Sequence, residues 1–64
     1  MKWIDVMDIA IGLVDNYPTV DPITVNFVQL REYVMQLPGF DDHPDRCGER
    51  ILEAIQQAWI EEKD

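Results

Sequence analysis

Apolar residues recur at helical spacing in three stretches of the chain, and two turn-rich segments separate them. The first stretch runs from about Val6 to Asn16. At 100° per residue Val6, Ala10, Leu13 and Tyr17 fall within one narrow arc, with Met7 and Val14 beside it. Asp5 stands where its carboxylate can cap the first free N–H groups, and Asp8 follows in the first turn. Asn16, Tyr17 and Pro18 end the stretch, because the residue before a proline resists helix. Next, Pro18 and Pro22 mark a loop, in which Asp21-Pro22 reads as a cap followed by a single turn. Thr24, Val25, Asn26 and Phe27 are locally strand-like, and Lys2-Trp3-Ile4 is their one good pairing candidate.

A second helix is expected from about Val28 to Leu37, with Leu30, Tyr33, Val34 and Leu37 on one face, Asn26 as its cap and Pro38-Gly39 as its stop. The third begins around Arg46 to Gly48 and continues to about Glu62. Ile51, Leu52, Ile55, Ala58 and Trp59 form its inner face, while Glu49, Glu53, Gln56 and Ile60 face outward. Trp3, Tyr17, Phe27, Tyr33, Phe40 and Trp59 supply the bulk of a single core. The pattern therefore predicts a mainly α, small three-helix, winged-helix-like domain with at most a minimal β pairing, spanning residues 1–64.

Size and charge narrow the function classes. Sixty-four residues make one small domain. Five Lys and Arg against thirteen Asp and Glu give a net charge of −8. Such a chain lacks the cations that neutralise phosphates, so nucleic acid is not an expected partner. Anionic lipid surfaces repel it as well. No apolar run of about 18 residues exists to span a membrane, and Asp5 and Asp8 interrupt the N-terminal apolar run, unlike a signal peptide. The single cysteine, Cys47, allows no internal disulfide and fits a reducing cytoplasm.

Catalytic chemistry finds few footholds. The chain has no serine, and Gly12, Gly39 and Gly48 are isolated rather than gathered into a phosphate cradle. Cys47 and His43 lack the ligand count of a closed zinc site. The run Asp41-Asp42-His43-Pro44-Asp45 lacks the spacing, glycine and terminal glutamate of a calcium loop. What remains is carboxylate density. Asp41, Asp42 and Asp45 lie in the last loop, and Glu49 and Glu53 continue one turn apart along the third helix. Asp5, Asp8 and Asp15 form a second acidic edge on the first. Charge runs are ordinarily solvated faces, yet solubility alone needs less net charge than this. An acidic surface suits a basic protein partner, or an open, weak site for a divalent cation.

The residues also resemble a known family. Lys2-Trp3-x-Asp5, Ile9-Ala10, Leu13, Tyr17-Pro18 and Asp21-Pro22-x-Thr24-Val25-x-Phe27 are similar, in this order, to the IscX family of small bacterial iron–sulfur cluster assembly proteins. Leu37, Phe40-Asp41-Asp42-x-Pro44, Glu49, Ile51-Leu52-Glu53-Ala54-Ile55, Trp59 and Glu62 extend the similarity to nearly the full chain. No single element is specific; the combination is.

The resemblance implies a modified winged helix and a non-enzymatic accessory protein of the cytoplasm. It implies docking on a basic surface of the cysteine desulfurase, a surface for which a frataxin-like protein competes, and weak binding of ferrous iron through surface carboxylates. The family's acidic positions match here at Asp5, Asp15, Asp41, Asp42, Glu49 and Glu53. Asp41, Asp42, Asp45, Glu49 and Glu53 are thus the expected central docking charges, with Asp5, Asp8 and Asp15 as the second edge. Asp41, Asp42, Glu49 and Glu53 are the candidate iron ligands, for a monomer with no tightly bound cofactor. The alternative is a ferrous iron donor or sensor whose primary activity is metal binding. Two departures stand out: Val28-Gln29 replaces a common Thr-Asp pair, removing a capping hydroxyl and an acid, and His43 replaces a third loop aspartate.

Overall fold

A computed structural model describes residues 1–63 of the chain. Three helices build the domain: α1 (Val6–Asn16), α2 (Phe27–Met35) and α3 (Glu49–Lys63), with one 3₁₀ turn at Pro44–Arg46. The mainly α, three-helix expectation is met. No strand forms among the described residues, so Lys2-Trp3-Ile4 and Thr24–Phe27 do not pair, and no β hairpin supports the winged-helix comparison.

The first helix spans Val6 to Asn16, as its periodicity predicts, but its buried line is rotated. Ile9, Ala10 and Leu13 are buried, while Met7 points to solvent. α1 packs chiefly on α3, with α2 against both. Gly12 faces Leu37, where an added methyl group would sit in ordinary van der Waals contact at 3.4 Å. Asp5 does not cap the helix. Its carboxylate turns back and accepts from the Lys2 N–H at 2.8 Å, while the Asp5 N–H donates to the Lys2 carbonyl at 2.9 Å. With ψ at 59°, Asp5 is outside the extended conformation that aims a cap side chain at the helix.

α2 has the better N-terminus. The Asn26 side chain accepts from the Gln29 N–H at 2.8 Å, and the Gln29 side chain accepts from the Asn26 N–H at 3.1 Å. This reciprocal capping box satisfies two donors that a bare helix end leaves free. Gln29 therefore takes a capping role where the family comparison suggested a capping hydroxyl was lost. The helix ends at Met35 rather than Leu37. Leu37 N–H still bonds to the Val34 carbonyl at 3.1 Å, and Gly39 at φ 82° turns the chain away. Leu30, Val34 and Leu37 remain buried through this tightening.

Leu52, Ile55, Ala58 and Trp59 of α3 complete the core, as expected. Gln56 does not face outward. Its Nε2 donates to the Pro22 carbonyl at 2.8 Å and to the Val25 carbonyl at 3.0 Å, pinning the proline loop to α3. Lys63 does the same at the helix end, donating to the Pro18 and Val20 carbonyls at 3.1 and 2.6 Å. Gln56→Glu is expected to destabilise by about 1–3 kcal/mol, because a carboxylate cannot donate and both carbonyls lose their partner. Thermal unfolding checks this; an unchanged Tm would remove Gln56 from the account of the loop.

Candidate functional site

The eight acids marked out by the sequence divide into two groups with different physical roles. Asp5, Asp41 and Asp42 gather around the Lys2-Trp3 dipeptide, which the loop after α2 brings next to residues 39 apart in sequence. Lys2 Nζ lies 3.3 Å from Asp41 Oδ2 and also donates to the Asp41 carbonyl. The Met1 amino group donates to the Gly39 carbonyl at 2.7 Å, and the Asp41 N–H to the Met1 carbonyl at 2.9 Å. Trp3 is buried against Phe40, edge to face with ring centroids 4.8 Å apart, and its Nε1 donates to the His43 carbonyl at 2.7 Å.

Asp42 is the fastener of this corner. Its Oδ2 accepts from the Trp3 N–H at 3.1 Å and its Oδ1 from the His43 N–H at 2.7 Å. These backbone donors, the Trp3 N–H foremost, hold its carboxyl below the ordinary aspartate value of 3.8, with Arg46 and Lys2 adding to the effect against partial desolvation. A carboxylate whose pKa is depressed by folding stabilises the fold above its unfolded value. That contribution is intact above about pH 4 and is lost as pH falls through the lower folded value. Asp42→Asn offers an amide oxygen to only one of the two N–H donors. The variant is expected to melt below wild type at neutral pH, with the gap closing in acid. A gap that is constant with pH would remove the charge of Asp42 from this role.

Asp8, Asp15, Asp45, Glu49 and Glu53 form the second group. All five are exposed, and none makes a hydrogen bond or ion pair through its carboxylate among the described residues. Asp8 and Asp15 project from the outward side of α1. Asp45 sits in the 3₁₀ turn, and Glu49 and Glu53 follow one helical turn apart on α3. Two of the five cations, Lys2 and Lys63, are held by internal contacts. This leaves the exposed acids weakly countered.

The proposed iron ligands do not converge. No three His, Cys, Asp or Glu side chains among the described residues are placed to hold one ion. Asp41 and Asp42 are turned toward the N-terminal segment, whereas Glu49 and Glu53 stand on α3. His43 is exposed in the loop, and its backbone rather than its ring is engaged. Cys47 is half-buried with its thiol donating to the Pro44 carbonyl at 3.2 Å. A groove of about 590 Å³ runs between the N-terminal turn and the loop, lined by Lys2, Trp3, Ile4, Asp41, His43 and Arg46 among others. Its mixed charges give no single-sign pocket for an ion.

Charge counting marked these acids but could not sort them. The Lys2–Asp41 pairing and the Trp3–His43 bond depend on a chain reversal that no local pattern encodes. Lys2 itself carried a faint signal, as a lone cation ahead of Asp5.

No helix among the described residues is long and apolar enough to cross a membrane. Comparison with known proteins supplies the biological setting. The family described as iron-sulphur cluster assembly matches residues 1–64. An uncharacterized protein of Pseudomonas aeruginosa is 59% identical over 64 residues, covering 100% of this chain and 97% of the relative. With the match running through all three helices and both acidic groups, the chain belongs to the IscX family of iron–sulfur cluster assembly proteins.

Proposed function

We propose that this chain is a non-enzymatic accessory protein of the cytoplasm that docks electrostatically on a basic patch of the cysteine desulfurase. Docked there, it modulates desulfurase turnover or excludes a frataxin-like competitor. The observation that carries this reading is the set of five exposed acids, Asp8, Asp15, Asp45, Glu49 and Glu53, that have no internal partner among the described residues, in a chain of net charge −8. Acids already paired inside a fold have less to gain from an external cation. Unpaired, solvated ones retain their field, and complementary fields steer association.

Asp41, Asp42 and Asp5 act differently in this scheme. Asp41 and Asp42 hold the N-terminal segment against the loop, and Asp5 braces the turn within that segment, so that together they position the chain leading to Asp45 and the start of α3. Ferrous iron is at best a weakly held cargo, taken up by carboxylates on separate elements. An ion of this kind binds tightly only where several ligands meet, so the donor or sensor reading ranks below docking.

Titration of isotope-labelled protein with the cysteine desulfurase of the same organism, followed by NMR at two salt concentrations, tests the proposal. Perturbations are expected at the five unpaired acids. Affinity should fall once the Debye length shrinks below about 10 Å. Salt-independent affinity would overturn the electrostatic mechanism, and absence of binding at low salt would overturn the partner.

A further inference from the structure

Deepening the docking reading on which it rests, we infer that the outward face of α1 is the apolar centre of the interface, fitting a partner patch of apolar residues rimmed by Lys or Arg. Met7 and Ile11 lie one helical turn apart on the side of α1 opposite Ile9 and Leu13, and Ile4 stands in the turn ahead of them. They are 55, 46 and 78% exposed. Scattered exposed apolar residues are ordinary on any protein. Met7 and Ile11 share one helix face, Ile4 is exposed in the turn just ahead of it, and nothing among the described residues covers them.

The charges around this face select its occupant. At 100° per residue Asp8 and Asp15 lie within the same outward arc as Met7 and Ile11. α1 carries no Lys or Arg at all. A second copy of the chain would bring two more aspartates, on a molecule of net charge −8, against the first two. A nucleic acid or an anionic membrane would be repelled in the same way. A partner that offers cations around an apolar centre gains from both parts of the face. Interfaces ordinarily have this arrangement, an apolar core inside a polar rim. On this account Asp8 and Asp15 set the rate and salt dependence of encounter, while Met7, Ile11 and Ile4 supply affinity that salt does not screen.

The test is the affinity of Met7→Gln with Ile11→Gln for the cysteine desulfurase, measured by calorimetry at low and high salt beside wild type and Val28→Gln. Val28 is an exposed apolar residue outside this face. The double variant is expected to bind about tenfold or more weakly at both salt concentrations, since burying even one such side chain has an effect of that size. Val28→Gln should match wild type. Met7→Ala with Ile11→Ala, which favours the helix, gives the same readout should the glutamine pair disturb the fold. If wild type binds and both double variants bind equally well, the inference fails and the docking reading survives. If wild type does not bind at low salt, the docking reading fails and takes the inference with it. Wild type that sediments as a dimer, with the double variant monomeric, would assign the face to a second copy and overturn the proposal.

Discussion

Trp3→Ala is expected to unfold the domain, at a cost of about 3–5 kcal/mol. A chain of 64 residues has a total stability of roughly 3–10 kcal/mol at the usual 0.05–0.15 per residue. The substitution removes a fully buried indole, its edge-to-face contact with Phe40 and its bond to the His43 carbonyl. Trp59→Ala should be equally severe, because Trp59 is also fully buried and packs edge to face on Tyr33. Phenylalanine variants separate the two. At Trp3, phenylalanine leaves a small cavity and strips the His43 carbonyl of its indole donor. At Trp59 it leaves a similar cavity but removes a buried N–H that has no partner among the described residues. An unsatisfied buried donor costs about 1–3 kcal/mol, so its removal offsets part of the cavity. Trp59→Phe should therefore be the milder change by about 1–3 kcal/mol. Urea unfolding of the two variants decides it, and the reverse order would overturn this account of the indoles.

The two tryptophans also show why Trp3 matters beyond stability. Trp59 belongs to the helical core alone. Trp3 joins the core to the acidic corner, since the backbone N–H that Asp42 accepts and the indole N–H that His43 accepts are both its own. Loosening Trp3 would free Asp41 and Asp42 from the N-terminal segment. On the docking proposal, the placement of Asp45 and the start of α3 is coupled to folding through that one residue.

What the sequence made legible was whatever repeats locally. The period of apolar residues located α1 and α3, because a 3.6-residue repeat is a property of one helix and needs no partner. Asn26 read as a cap for the same reason: the box it forms with Gln29 spans four residues. Contacts between distant segments were not legible. Gln56 looked polar and hence outward, yet carbonyls more than thirty residues away drew it in. Asp5 looked like a cap until the Lys2 N–H competed for its carboxylate. Met7 looked like core and Ile9 was passed over, because periodicity alone fixes the width of an apolar arc better than its direction. That direction is set by where α3 lies. The candidate site suffered most. Eight acids of similar appearance divide into fasteners and free charges only when their hydrogen-bond partners are known.

That division carries the second large effect. Neutralising Asp8, Asp15, Asp45, Glu49 and Glu53 to their amides changes the net charge from −8 to −3, and all five side chains are exposed. The variant is expected to stay folded with little change in Tm, because among the described residues no carboxylate of the five has an internal bond to lose. Its affinity for the cysteine desulfurase should fall by about a hundredfold at low salt, the sum of several modest exposed-pair contributions. The difference from wild type should shrink as salt rises, since screening removes from wild type what substitution removed from the variant. Neutralising Asp5, Asp41 and Asp42 should produce the opposite pattern. The amides keep one acceptor oxygen each, but Asp42 loses the second oxygen that serves the Trp3 and His43 N–H groups and Asp41 loses its ion pair with Lys2, so Tm falls before affinity does. Calorimetric binding and thermal melts of both triple and quintuple variants test the pair of expectations together. Equal losses of affinity from the two sets, at unchanged stability, would mean that the acids act as one undivided field and that the fastening role assigned to Asp42 is wrong.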